Sequence, residues 1–296
     1  MSAVKLGVTM PQFSGDVGRL LETAQAAEEL GLDSLWVFDH LWPLSGGKDR
    51  PILEGWSTLA WLAAKTTSIG IGSLVTRSSL RHPAVLAKMA ATVACVAPGR
   101  VTIAVGSGDN LSRPENEAFG LPYYEGSDRS DQLRSAVEVL HGFFNRGALE
   151  QDDGFVSLRD LPPSPRPEVS PKIWVAGRSE SVMAVAGDLA DGWNGWQGSP
   201  QAFEADRADL AQRNGGRAFE FSWGGLLVLG ADDADASVRL GKRDPGGFVV
   251  GGPETTALRL NAFVAAGAEH LTLTLAGTWE LTDLERLARE VRPLLK

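Results

Sequence analysis

The sequence is poor in the residues on which several classes of protein depend. Cys95 is the only cysteine among 296 residues, so no internal disulfide can form, and a cytoplasmic location is expected. The four histidines lack the spacing of a zinc site, and no metal site is predicted. The chain has no basic excess. Its net charge of -9 gives no support to nucleic-acid binding, and no nucleic-acid partner is expected.

Long hydrophobic runs are also missing. No apolar stretch approaches the ~20 residues that span a membrane, and no membrane association is expected. The first residues, MSAVKLGVTM, lack the basic and apolar regions of a signal peptide. Hydrophobic residues nevertheless make up 43% of the chain, which is ample for a large core. This length suits either two ordinary domains or one large α/β barrel.

Strand and helix patterns alternate along the whole chain. Short β-type runs are followed by segments with apolar residues at helical spacing, often ended by glycine or opened by proline. The predicted strands cover residues 4–10, 33–38, 68–76, 100–107, 172–177, 191–196, 219–230 and 270–275. The predicted helices cover residues 16–31, 54–66, 83–97, 128–146, 180–190, 200–213, 253–266 and 280–292.

Eight such pairs predict an α/β fold, a (β/α)8 TIM barrel spanning residues 1–296 as a single domain. An open doubly wound sheet is the alternative. Its dinucleotide fingerprint follows the first strand directly, whereas here that strand is followed by PQFSGD. The glycine pairs in GIGSLV and VGSGDN both lack a third glycine. The barrel is therefore the preferred interpretation.

Two segments are too long for ordinary barrel connections. Residues 109–129, after strand four, are predicted to pass over the barrel mouth. Residues 148–171, before strand five, are predicted to contain a short hairpin around Asp153–Gly154 and then a proline-rich lead into the strand.

The stretch SLWVFDHLW places two polar residues, Asp39 and His40, directly after an apolar strand. In a barrel, the carboxyl ends of the strands and the loops after them carry the chemistry. His40 and Asp109 are therefore the candidates for proton transfer, because imidazole titrates near neutrality and burial tunes a carboxylate. Simpler interpretations stay open: Asp39 capping the next segment or pairing with an arginine, His40 as a structural strand end, and Asp109 turning the chain.

Three segments give the chain a family resemblance. SLWVFDH, GSLVTRSSLRHPAVLAKMAATV followed by GRVTIAVGSG, and IWVAGRSE with LADGW resemble the bacterial luciferase-like superfamily of flavin and deazaflavin barrel enzymes. Within it, the chain is most similar to oxidoreductases that use the deazaflavin coenzyme F420. The resemblance runs from strand one to strand eight and is most specific between Gly72 and Gly108.

The resemblance also implies roles for residues at matching positions. It places a non-prolyl cis peptide at Ser73–Leu74, where a bulge backs the central ring of the cofactor. It places His40 near the reacting carbon. At Asp109 some relatives carry a glutamate acid, and the shorter aspartate departs from that pattern. The residues assigned to cofactor binding are Asp39, Ser73, Leu74, Gly106, Ser107, Gly108, Ala176, Gly177, Arg178 and Ser179.

The last four of these enter a helix N-terminus, where backbone N–H groups and the helix dipole suit the cofactor phosphate. Arg178 either adds charge there or is simply solvated.

Three functional classes follow from the resemblance. The first is an F420-dependent oxidoreductase, expected to be a reductase, acting on a small organic substrate. The second is a reduced-FMN monooxygenase on the same fold, which needs oxygen and a flavin reductase partner. The third is a barrel that binds ligand without turnover, because fold alone does not decide function. A homodimer formed through helices on one flank of the barrel is also implied.

Overall fold

The computed structural model describes residues 3–43, 47–145, 147–277 and 279–296. Eleven strands lie within this part of the chain, and every predicted strand is present to within two residues at each end. They are β1 Lys5–Thr9, β2 Ser34–Val37, β3 Gly70–Arg77, β4 Val101–Gly106, β5 Leu149–Asp152, β6 Ser157–Leu161, β7 Lys172–Ala176, β8 Gly192–Trp196, β9 Glu220–Leu229, β10 Phe248–Gly251 and β11 His270–Leu275.

The main sheet is parallel and closed. Its order is β10-β9-β11-β1-β2-β3-β4-β7-β8, with an additional pairing of β8 to β9 that completes the ring. Strand β10 pairs with β9 from outside, and the other eight strands form the barrel. The structure thus confirms the predicted TIM barrel and rejects the open doubly wound sheet.

Helices surround the barrel between its strands, and the eight predicted helices are confirmed. The α-helices are α1 Val17–Glu29, α2 Gly55–Lys65, α3 Pro83–Val96, α4 Arg113–Ala118, α5 Gly126–Asn145, α6 Glu180–Leu189, α7 Pro200–Arg213, α8 Asp233–Leu240, α9 Pro253–Ala265 and α10 Leu281–Arg286. A π-helical turn, Leu287–Val291, continues α10. No described helix is long and apolar enough to cross a membrane.

Both predicted excursions are present. The first contains a 3-10 turn, Asn110–Ser112, and the short helix α4, and it lies over the mouth of the barrel. The second contains the antiparallel hairpin of β5 and β6, which turns at Gly154 with φ +87°. A third insertion, α8 with β10, was not predicted, because short elements carry too few residues to show a clear period.

Aromatic side chains fill the barrel below its mouth. The rings of Trp36 and Trp174 stack at 5.1 Å, and Leu74 and Ala104 complete this buried cluster. Val75 and Trp196 pack against it and are only partly buried. The mouth therefore has an apolar floor.

Ion pairs close the opposite, amino end of the barrel. Glu220 lies 2.7 Å from Lys5 Nζ and 2.6 Å from Lys172 Nζ. Burial lowers the pKa of His270, which packs edge-on against Trp36 and Trp174. These contacts link neighbouring strands at the amino end of the barrel and have a structural role, whereas the candidate site lies at the carboxyl end.

Candidate active site

The turn after β1 fixes the end of β2. Gln12 is fully buried, and its side chain forms two hydrogen bonds with the backbone of Phe38. Its Nε2 donates to the Phe38 carbonyl at 3.1 Å, and its Oε1 accepts from the Phe38 amide at 2.6 Å. These bonds hold the chain two residues before His40, so Gln12 is a structural part of the rim.

Asp39 pairs with an arginine, as one of its two simpler interpretations proposed. Its carboxylate is fully buried and accepts from Arg81 Nη1 at 2.5 Å and from Nη2 at 2.9 Å. Arg81 also pairs with Glu54, which caps α2. Burial works to lower the pKa of Arg81, but its two carboxylate partners outweigh that effect and raise it. Asp39 thus connects β2, α2 and the loop after β3, and a direct contact with cofactor stays a prediction.

His40 points toward a carboxylate that sequence reasoning missed. Its Nδ1 lies 3.1 Å from Glu115 Oε2, and the same oxygen lies 2.6 Å from Arg77 Nη2. The His40 side chain is 19% exposed, whereas Glu115 and Arg77 are 1% and 3% exposed. The second oxygen of Glu115 accepts from the amides of Leu41 and Trp42.

The electrostatics of this group favour an ionised carboxylate. Burial raises the pKa of Glu115, but the His40 and Leu41 hydrogen bonds and the Arg77 charge outweigh it, and the pKa lies below its ordinary value. Burial also lowers the pKa of Arg77, against the opposing effect of Glu115 and Asp39. An arginine stays protonated even so, because its ordinary pKa is above 12.

Asp109 occupies the rim but faces its own loop. Its carboxylate caps the following 3-10 turn, accepting from the Ser112 amide at 3.0 Å and from the Ser112 hydroxyl at 2.8 Å. This is the turning role held open above. No described contact joins Asp109 to His40, so its role in proton transfer remains a prediction.

The non-prolyl cis peptide is present, one residue later than predicted. It joins Leu74 to Val75, not Ser73 to Leu74. Ser73 is buried and still strand-paired, and its hydroxyl donates to the Ala104 carbonyl at 3.1 Å. The register between β3 and β4 shifts between Ser73 and Thr76, which places the bulge at Leu74 and Val75.

Glycines of the β4 end make room for this bulge. A Cβ at Gly106 would lie 2.9 Å from Val75 Cγ2, so no larger residue fits without a shift. Gly108 has φ +75° and its carbonyl accepts from Arg129. Ser107 is partly exposed between them. The β4 end therefore borders the floor of the mouth with little side-chain bulk.

In the turn from β7 into α6, the backbone and the Arg178 side chain point to different roles. Gly177 has φ +132°, its carbonyl accepts from Trp193 Nε1 at 2.8 Å, and Ser179 caps α6 by accepting from the Val182 amide. Ala176, which precedes the turn, is partly exposed and pairs with Gly106. The Arg178 guanidinium turns away, with Nε 3.0 Å from Asp206 and Nη2 donating to the Gln197 carbonyl.

The predicted site residues thus lie along one rim, but they differ in solvent exposure. His40, Ser107, Gly108, Ala176 and Gly177 are partly exposed around the floor of Leu74 and Val75, whereas Asp39 and Ser73 are buried supports. The register that pairs Val37 with Ser73 places His40 beside the bulge on the neighbouring strand. No group of three or more potential metal ligands occurs in the described ranges.

Comparison with known proteins agrees with this geometry. The family model for luciferase-like monooxygenases matches residues 4–245. The chain belongs to that family. A relative from Beutenbergia cavernae, named F420-dependent glucose-6-phosphate dehydrogenase, is 30% identical over 94% of this chain and 93% of its own length. A Mycobacterium tuberculosis relative, named F420-dependent hydroxymycolic acid dehydrogenase, is 30% identical over 64% of this chain and 51% of its own length.

Solved structures share the fold of this chain. An F420-dependent secondary alcohol dehydrogenase, solved with an F420-acetone adduct, superimposes with a TM-score of 0.87 at 18% identity over 99% of each chain. An F420-dependent tetrahydromethanopterin reductase from Methanopyrus kandleri gives 0.83 at 18% identity over 100% of each chain. An EDTA monooxygenase from a Chelativorans species gives 0.83 at 13% identity, covering 99% of this chain and 93% of that one. Structural likeness alone therefore fits both F420 and monooxygenase chemistry.

Proposed function

We propose that this protein is an F420-dependent oxidoreductase that transfers a hydride between the deazaflavin and a small organic substrate. The relatives named for F420 dependence support it, above all the one that matches nearly the whole chain at 30% identity. The observation that carries the proposal is the position of His40, at the strand end beside the apolar floor and bound to a buried carboxylate.

The residues of the rim fit such a cofactor. A flat ring needs an apolar surface, which Leu74 and Val75 supply above the stacked Trp36 and Trp174. A phosphate needs backbone N–H groups at a helix N-terminus, which the turn at Gly177 and Ser179 supplies. Coenzyme F420, when bound, supplies the ring carbon that accepts or donates the hydride.

The protein residues then orient the reactants and handle the proton. His40, through its Nε2, accepts the proton of a substrate hydroxyl during oxidation and returns a proton during reduction. The apolar floor excludes water from the reacting atoms. These roles serve both directions. The relatives are named dehydrogenases, and the reductase direction expected from the sequence remains a prediction.

The relatives named as dehydrogenases support a small-molecule substrate. A cavity of about 380 Å³ lies between β9, β10 and α9 and is lined in part by Trp223, Phe248 and Phe263. Its lining residues are separate from the rim around His40, so the cavity does not locate the substrate. A reduced-FMN monooxygenase is the second candidate, and solved monooxygenases of this fold keep it open.

We further propose that residues 1–296 act as one domain, in the cytoplasm, and as a homodimer. The sole cysteine supports the compartment. Size-exclusion chromatography with light scattering tests the dimer, and a monomer at micromolar concentration would contradict it.

Cofactor choice gives the first prediction. We expect F420 to bind with a micromolar or lower dissociation constant, about -8 kcal/mol or better, and FMN to bind much more weakly. Titration of the purified protein with each cofactor, followed by absorbance or calorimetry, measures this. Tighter binding of FMN would make the monooxygenase the better proposal.

The turn after β7 gives the second prediction. In Gly177→Ala the new Cβ would lie 2.9 Å from Val182 Cγ1 at a positive φ, so the turn must shift. We expect F420 affinity to fall about tenfold or more, about 1.4 kcal/mol. Arg178→Ala is the matched control, expected to change affinity about twofold or less because its guanidinium already contacts Asp206 and Gln197. Equal affinities for both folded variants and wild type would place the phosphate elsewhere.

A further inference from the structure

Glu115 reaches the candidate active site from outside the barrel strands. It lies on α4, in the excursion after β4, and its carboxylate contacts the end of β2 across the mouth. One oxygen contacts His40 and Arg77, and the other accepts from the amides of Leu41 and Trp42. All four contacts involve residues at or next to the strand ends.

We propose that Glu115 is a positioning residue that holds His40 in the tautomer with the proton on Nδ1. The Nε2 atom is then left with a free lone pair that can accept a proton. This inference rests on the proposed function of His40, and it assigns no contact between Glu115 and substrate or cofactor.

The hydrogen-bond chemistry favours this tautomer. A neutral imidazole has one N–H and one acceptor nitrogen, and an ionised carboxylate only accepts. With Nδ1 3.1 Å from Glu115 Oε2, the favourable arrangement is an Nδ1–H that donates to the carboxylate. A proton on Nε2 instead would leave two acceptors facing each other in a buried place, which is costly.

Arg77 keeps the carboxylate in its accepting form. Its Nη2 lies 2.6 Å from the oxygen that contacts His40, and its Nη1 donates to Asn116 Oδ1 at 3.0 Å. Arg77 is therefore held from the same helix that carries Glu115. A buried carboxylate beside a fixed guanidinium stays ionised.

The amide contacts hold the backbone that carries the His40 ring. Glu115 holds the backbone after His40 through Leu41 and Trp42, and Gln12 holds the backbone before it through Phe38. The backbone is thus held on both sides of His40, and the ring itself is held at Nδ1. Preorganisation of this kind lets a base meet its proton without reorienting.

The charges near His40 are few. Besides Glu115 and Arg77, Asp39 and Asp109 both act on Arg77, and Lys48 lies over the Trp42 ring. Asp39 is neutralised by Arg81, and Asp109 bonds to Ser112. Glu115 is the carboxylate in contact with His40 among the described residues.

Histidine NMR of the cofactor-free protein tests the tautomer directly. The protein has four histidines, so ¹⁵N-labelled samples give few signals, and His40→Gln identifies the signal of His40. We expect the Nδ1–H pattern for neutral His40 in wild type. In Glu115→Gln, the side-chain amide can donate to Nδ1, so the pattern shifts toward Nε2–H. Glu117→Gln is the matched control, since Glu117 is exposed on the same helix, and it should leave the spectrum unchanged.

Kinetics of the F420-loaded enzyme give a second reading. Glu115→Gln should lower kcat about 10- to 100-fold with little change in cofactor affinity, and move the acidic limb of the kcat/KM profile to lower pH. Glu115→Asp should recover part of kcat.

Nε2–H on His40 in wild type, or equal spectra in wild type and Glu115→Gln, would overturn the proposal. The wild-type spectrum tests the proposal even if a variant fails to fold. Failure of F420 binding would overturn the proposed function instead, and the spectra of cofactor-free protein separate the two.

Discussion

His40→Ala should lower turnover by about 10²–10⁴, the usual loss when a positioned acid or base is removed. The free energy of unfolding should fall by no more than about 1–3 kcal/mol, because one hydrogen bond to the buried Glu115 carboxylate is lost while its contacts with Arg77, Leu41 and Trp42 remain. Cofactor affinity should change little, since the apolar floor and the turn after β7 are intact. Steady-state rates, chemical unfolding and F420 titration measure the three quantities.

His40→Asn separates positioning from proton transfer. An asparagine amide can donate to Glu115 but does not titrate near neutrality, so a proton-transfer role predicts little recovery over alanine. Substantial recovery would make the role of His40 positional. His82→Asn is the matched control, because His82 caps α3 and asparagine is a good cap. A wild-type rate in His40→Ala would show that the chemistry belongs to another part of the rim.

The fold was predictable because the barrel repeats the same strand-and-helix sequence pattern. Each strand is a short buried run and each major helix an apolar stripe, so position in the repeat decides which residues reach the mouth. His40 was found in this way, as a polar residue directly after a fully buried strand, Ser34–Val37. The insertion of α8 and β10 was missed because it lies outside the repeat.

The partner of His40 was not predictable by the same reasoning. Glu115 lies in a six-residue helix within a polar segment, and nothing in RPENEA distinguishes it from Glu117. Only the fold shows which carboxylate turns inward to meet Arg77. Asp109 was preferred because it directly follows a strand, yet its carboxylate turns back onto Ser112. Strand ends predict which backbone reaches the rim, whereas side-chain direction depends on contacts distant in sequence.

The position of the bulge within β3 was likewise predictable only approximately. Its place at the end of β3 followed from the resemblance, but the register shift falls at Leu74 and Val75 because Ser73 keeps its pairing with β2 and β4. Gly106, on the neighbouring strand, leaves the space that Val75 occupies. Pairing across strands therefore sets the position to within one residue.

The second prediction with a large effect concerns the free energy of unfolding. Arg77→Met should destabilise the protein by about 3–5 kcal/mol at neutral pH, because it leaves the Glu115 carboxylate buried without its cation. The retained contacts from His40, Leu41 and Trp42 favour the lower end of that range. Urea unfolding of the cofactor-free protein measures it. Arg134→Met is the matched control, since its pair with Asp188 is exposed, and it should cost less than about 1 kcal/mol.

Acid pH should reduce the destabilisation caused by Arg77→Met. The folded pKa of Glu115 lies below its ordinary value of 4.5, so its ionisation contributes stability that is present above the ordinary value and lost as pH falls through the folded one. Removing Arg77 raises that folded pKa, so the variant carboxylate protonates earlier and its burial becomes less costly. The difference in unfolding free energy between wild type and Arg77→Met should therefore be largest near pH 7 and become smaller below about pH 5.

Adding Glu115→Gln to Arg77→Met should recover part of the lost stability at pH 7, because no buried charge is left unpaired. A loss of less than about 1 kcal/mol in Arg77→Met, or one independent of pH, would show that Glu115 and Arg77 are not a buried pair in solution.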